Sequence, residues 1–148
     1  YKVDGSRLAA AMTESCIDEP PETLIHFVET CSRLGIRIAL DDFGSGYSSI
    51  RMLLQYPTSI VKLDRSLLGE MTESVDKMNF ICSIVYACHR FGKKVCMEGV
   101  ETAEQDALIR ESGCDMIQGY YHYYPLEIAA LYSLLADEKK DGSACKDA

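Results

Sequence analysis

Five short β-branched runs separated by helical patterns constrain the fold of this chain more than any other feature. They begin at residues 8, 36, 60, 95 and 116, hence 28, 24, 35 and 21 residues apart. Each gap is too long for a tight hairpin and long enough for a helical crossover, so the runs should pair in parallel. Pro20 and Pro21 open a helix whose apolar residues Leu24, Ile25, Phe27, Val28, Cys31 and Leu34 recur at helical spacing, with Gly35 just past its end. A short helix over 50–55 stops before Pro57, and a long one over 76–91 is closed by Gly92. Thr102 and Gln105 form a capping box for a helix ending near Gly113. A last helix is expected over 126–136, followed by a polar, disordered tail over 137–148. Serial β-α units of this kind belong to doubly wound sheets or to (β/α)8 barrels. No G-x-G-x-x-G turn follows the first run, so the dinucleotide-binding version has no support.

All five runs end on polar residues: Glu14, Asp41 with Asp42, Lys62 with Asp64, Glu98, and Gln118. In parallel α/β folds the carboxyl ends of the strands face one side, where active sites are built. The sequence thus collects five carboxylates, a lysine and an amide on one rim, with Glu101 close behind Glu98. Polar loops explain one or two such endings; five of five, with two adjacent aspartates after Ile38-Ala39-Leu40, point to function. Crowded carboxylates raise one another's pKa unless a cation intervenes. Oxygen ligands of this type suit Mg2+ or Mn2+. Several acids on one rim can hold two such ions for in-line attack on a phosphodiester, with Lys62 holding a water or a phosphate oxygen. A rival reading makes Lys62 a Schiff-base lysine, but neighbouring carboxylates raise the lysine pKa that such chemistry needs lowered. The loop over 44–49 reads equally as a phosphate cradle, a moving loop or a plain linker.

Charge narrows the partner class. Lys+Arg is 15 against Asp+Glu 23, a formal net charge of −8, which argues against a nucleic-acid polymer as main partner. The seven cysteines are odd in number, and none are paired as C-x-x-C. They read as buried, reduced thiols of a cytoplasmic protein rather than a zinc site or disulfide framework. No apolar run is long enough to span a membrane, and the start at Tyr1 reads as a piece of a longer chain.

Four motifs together carry a family resemblance: Asp41-Asp42-Phe43-Gly44-Ser45-Gly46-Tyr47-Ser48-Ser49, Val61-Lys62-Leu63-Asp64-Arg65-Ser66, Glu98-Gly99-Val100-Glu101-Thr102 and Gln118-Gly119-Tyr120. In order and spacing the chain closely resembles the EAL-domain family over residues 7–126. The resemblance implies a (β/α)8-barrel phosphodiesterase that hydrolyses cyclic di-GMP to pGpG with two Mg2+ or Mn2+ ions. It implies that Asp41, Asp42 and Glu98 are metal ligands, with Glu98 also moving protons, and that Lys62 orients the attacking water. It further implies that Asp64, Glu101 and Gln118 support site or ligand, and that Glu14 anchors the loop after Asp42. That loop is implicated in homodimer contacts, and an upstream diguanylate-cyclase-type or sensor domain is common in the family.

Departures from the pattern set the remaining expectations. A (β/α)8 barrel takes ~250 residues, so five units make a partial barrel with about five parallel strands. Residues 1–136 are then the C-terminal part of the domain. The strand carrying Glu-Ala-Leu and the strand carrying an asparagine ligand fall outside the chain. Ala11 stands where the family has a metal-ligating glutamate, and Tyr123 and Tyr124 stand where it has a small residue and a Lys or Arg. The chain alone is therefore expected to be inactive. The alternative is a degenerate domain that acts as a non-catalytic cyclic di-GMP receptor or protein-interaction module. A cytoplasmic location is expected, in a parent that is either free or membrane-anchored.

Overall fold

The five runs form five parallel strands, each followed by a helix. In this computed structural model residues 4–13, 16, 20–45, 49–69 and 75–140 are described. The elements are β1 (Ala9–Met12), α1 (Pro21–Arg33), β2 (Arg37–Phe43), α2 (Ser49–Gln55), β3 (Ile60–Leu63), α3 (Val75–Arg90), β4 (Lys94–Met97), α4 (Ala103–Glu111), β5 (Met116–Ile117) and α5 (Ile128–Lys140). The sheet order is β1-β2-β3-β4-β5, every neighbour pair being parallel. Sequential parallel order is what a barrel wall requires, as opposed to the reordered strands of a doubly wound sheet.

Strand alternation divides the side chains between two faces. Met12, Ile38, Leu40, Val61, Leu63, Val95 and Met97 pack on the helices. They meet Leu24, Val28 and Cys31 of α1 and Ile81, Val85 and Cys88 of α3, each set spaced as one helical face. The other face carries Ala39, Ile60 and Cys96, with Met116 packed against them. This second face is the inner wall of the partial barrel, and it bears the site.

Helix ends follow local chemistry. Pro21 occupies the first turn of α1, where a missing N–H costs no hydrogen bond, and Gly35 takes φ +70° just past the end. Thr102 caps α4 in a full capping box: its side chain accepts from the Gln105 N–H, and the Gln105 side chain accepts in return. Helix α5 runs four residues beyond the expected Ala136, so the expected tail begins inside a helix; residues 141–148 lie outside the described residues. No helix among the described residues is long and apolar enough to cross a membrane.

Candidate metal centre at the strand carboxyl ends

Two consecutive residues of a regular strand point to opposite faces, so Asp41 and Asp42 should not share a site. A β-bulge resolves this. Leu40 pairs with Val61 and Phe43 with Leu63, so three steps along β2 oppose two along β3. Asp42 absorbs the surplus residue at φ +55°, the left-handed region that aspartate tolerates better than most side chains. Both the N–H and Oγ of Ser45 donate to its carbonyl oxygen, fixing the turn that follows. Past the bulge Phe43 is returned to the helix-side core. The strand therefore ends at Phe43, three residues beyond the expected Leu40, with the aspartates inside it.

Carboxylate oxygens of Asp41, Asp42 and Glu98 lie within 4.8 Å of one another, all half-buried. Glu98 arrives there because its N–H extends the ladder to the Leu63 carbonyl after β4. Lys62, on β3 between them, donates from Nζ to Asp41 Oδ1 at 2.8 Å and to Glu98 Oε1 at 2.6 Å. Burial alone would lower the lysine pKa, but the hydrogen bonds and charges of Asp41 and Glu98 outweigh it and hold the value raised. An ammonium this firmly protonated is unsuited to Schiff-base formation. The three carboxylates offer the hard oxygen donors that Mg2+ or Mn2+ prefers, so the residues fit such an ion.

The other expected site residues distribute unevenly. Asp64 stands at the same sheet edge, but its Oδ1 accepts from the Ser66 N–H and caps the 3-10 turn Arg65–Leu67. That bond holds its carboxyl below the usual carboxylate range. Glu101 and Gln118 line a pocket of about 190 Å³ with Arg65, Gly99, Gly119 and Tyr120. Ala11 pairs with Ala39 in register, on the strand next to the aspartates, and offers only a methyl group. Glu14, and loop residues 46–48, lie outside the described residues. A larger cavity of about 600 Å³ lies between α2 and α3, on the helix side, lined by Leu53, Leu54, Phe80 and Phe91. It contains none of the acidic site residues.

Sequence reasoning missed Arg65 and Gly99 as pocket residues. Gly99 adopts φ +73°, and a Cβ there would collide with the Arg65 side chain. The signal was available in the Glu98-Gly99 pair, since a glycine directly after a strand-end carboxylate marks close approach.

Comparison with known proteins supplies the context. The family profile described as EAL domain matches residues 1–125. Cyclic di-GMP phosphodiesterase NbdA of Pseudomonas aeruginosa is 34% identical over 92% of this chain, which spans 17% of that protein. The solved PaMucR phosphodiesterase, in complex with c-di-GMP, superposes with TM-score 0.76 at 31% identity, covering 87% of this chain and 52% of that one. BlrP1 of Klebsiella pneumoniae, solved as a manganese/cy-diGMP complex, superposes with TM-score 0.74 at 26% identity, covering 80% of this chain and 30% of that one. The chain thus spans well under two thirds of these proteins. Its five parallel β-α units are part of their TIM-type barrel. By the profile match over most of its length, the chain belongs to the EAL domain family.

Proposed function

We propose that this chain is the C-terminal part, residues 1–136, of a cyclic di-GMP phosphodiesterase domain. The observation that carries the reading is the Asp41, Asp42 and Glu98 carboxylate group with Lys62 set into it. Asp41, Asp42 and Glu98 would hold Mg2+ or Mn2+, which when bound lowers the pKa of water and offsets charge on a phosphodiester. Lys62 spends two N–H donors on Asp41 and Glu98 and keeps a third for the attacking water or a non-bridging phosphate oxygen. Glu98, a carboxylate fixed by that ammonium, is the group to accept the water proton at an Oε atom. Gln118 and Glu101, on the neighbouring pocket wall, contact the nucleotide. The work is done in the cytoplasm, within a longer protein that supplies the remaining barrel strands. A homodimer through the loop after Asp42 and an upstream diguanylate-cyclase-type or sensor domain complete the proposal.

Ala11 favours a second reading, a receptor that binds cyclic di-GMP without turnover, because β1 brings a methyl group where a carboxylate would complete the acid set. One experiment separates the two. Production of pGpG is measured for this chain and for the full-length protein, each with and without Ala11→Glu. The chain alone should show no turnover in either form, because the missing strands cannot be replaced by one carboxylate. In the full-length protein, Ala11→Glu should raise Mn2+-dependent turnover. Tight binding without hydrolysis in the full-length protein supports the receptor, and turnover by the isolated chain sinks the truncation argument.

A further inference from the structure

Asp106, His122 and Arg110 take no part in the chemistry above, yet they form a linked polar cluster around a buried carboxylate. Asp106, on α4, is buried at 8% exposure. Its Oδ2 accepts from Arg110 Nε at 2.7 Å, and its Oδ1 lies 2.9 Å from His122 Nε2. The Arg110 guanidinium, helped by His122, holds the Asp106 carboxyl below the usual range, so the carboxylate accepts and the imidazole must donate from Nε2.

His122 ends the tight turn that leaves β5. On one side this turn is sewn to the loop that follows β4: Val100 N–H donates to the Gln118 carbonyl, and Tyr121 N–H donates to the Val100 carbonyl. Gly119 lies so near Val100 that any Cβ would collide with its backbone. The turn closes on itself through the His122 and Tyr123 N–H groups, both donating to the Gly119 carbonyl. On the other side its fastening to α4 is the His122–Asp106 bond. Between the two fastenings the turn presents Gln118 and Tyr120 to the pocket shared with Arg65 and Glu101.

We propose that Asp106 and His122 form a latch that positions this turn, and with it the Gln118–Tyr120 wall of the ligand pocket. They are positioning residues. The part of the proposal that concerns ligand rests on the cyclic di-GMP reading. The test uses His122→Phe, which keeps a ring of similar size but no donor, and His122→Gln, which keeps a donor. Amide hydrogen exchange at Tyr121, His122 and Tyr123 and the affinity for cyclic di-GMP are measured in the full-length protein. Losing one charge-assisted bond should cut protection of these amides by roughly tenfold in the Phe variant and weaken cyclic di-GMP by a similar factor. The Gln variant should recover most of both. Mn2+ binding at the acid group should not move. Asp106→Leu, which keeps the side-chain size and removes both acceptors, should reproduce the Phe phenotype. A Phe variant with wild-type protection overturns the latch, because packing alone would then hold the turn. Lowered protection with unchanged affinity overturns the positioning role. Absence of cyclic di-GMP binding by the unmodified protein overturns the functional reading instead, and the exchange data still decide the latch.

Discussion

Replacing Lys62 by Met keeps a long unbranched stem and removes one positive charge from the centre of the acid group. Two effects follow, of opposite sign. Without metal, Asp41 and Glu98 lose an ammonium at 2.8 and 2.6 Å and are left crowded with Asp42. Charge-assisted bonds contribute ~1.5–3 kcal/mol when buried. The three side chains are 17–23% exposed, so about 2 kcal/mol of metal-free stability should be lost after solvent screening. The sign with pH follows from the raised lysine pKa. The stabilisation is complete below the unfolded value, near 10.4, and fades only as pH climbs through the folded value. The deficit of the Met variant should therefore be flat from pH 7 to 9. With metal, the same ammonium opposes any cation that enters. Two unit charges about 4 Å apart in water interact by ~1 kcal/mol. Relief for a divalent ion is then ~2 kcal/mol, a gain in Mn2+ affinity of roughly thirtyfold. Titration of Mn2+ followed by its electron paramagnetic resonance signal, beside metal-free thermal melts, reads both effects. Tighter Mn2+ binding, with loss of the pGpG production proposed for the full-length protein, is the expected pair. Weaker or unchanged Mn2+ binding would refute the view that lysine and metal compete for the same carboxylates.

Gly119→Ala forces a methyl group into the Val100 backbone, and should cost more than about 2 kcal/mol of stability by denaturant titration. Burial pushes the Cys88 and Cys96 thiols up to about 11. At pH 8 iodoacetamide should therefore label partly exposed Cys82 well before either, as mapped by peptide mass spectrometry. The Asp106 carboxyl is depressed by Arg110 and His122, so its contribution is present above the unfolded pKa near 3.9 and lost as pH falls through the folded value. Asp106→Asn should remove part of the stability lost by the parent below about pH 4 in acid titrations.

What could be read in advance depended on how local each determinant is. The parallel strands and the helical crossovers were legible because spacing and periodicity are properties of contiguous residues, whereas the choice between barrel and doubly wound order came only with the family resemblance. The Thr102–Gln105 capping box was legible for the same reason, with both partners inside one turn. The bulge at Asp41–Asp42 was not, since nothing in Leu40-Asp41-Asp42-Phe43 says which residue is surplus; that is decided by Val61, Lys62 and Leu63 on the next strand. Lys93 shows the same limit. It is 7% exposed, its Nζ donating to the Thr58 carbonyl and hydroxyl. Its sequence neighbour Lys94 is only half-buried. The pairing of Asp106 with His122 joins residues 16 apart and needs the β5 turn to exist before it can form. The rim was legible as a set of strand endings; the bonding of Asp64 within its own turn, apart from the acid trio, was not.

The bulge makes chain length, rather than residue type, the quantity on which the acid group depends. Delete any one residue among Asp41, Asp42 and Phe43 and a regular ladder with β3 becomes possible again, with nearly the same composition and hydrophobic content. Alternation would then carry at most one aspartate to the inner wall beside Lys62 and Glu98. Such a deletion would break up the acid group without removing a strand, a route by which a lineage could part with that group while keeping its barrel. An alignment that scores only which residues are present would overlook it, whereas one that counts the steps between Leu40 and Leu63 would not.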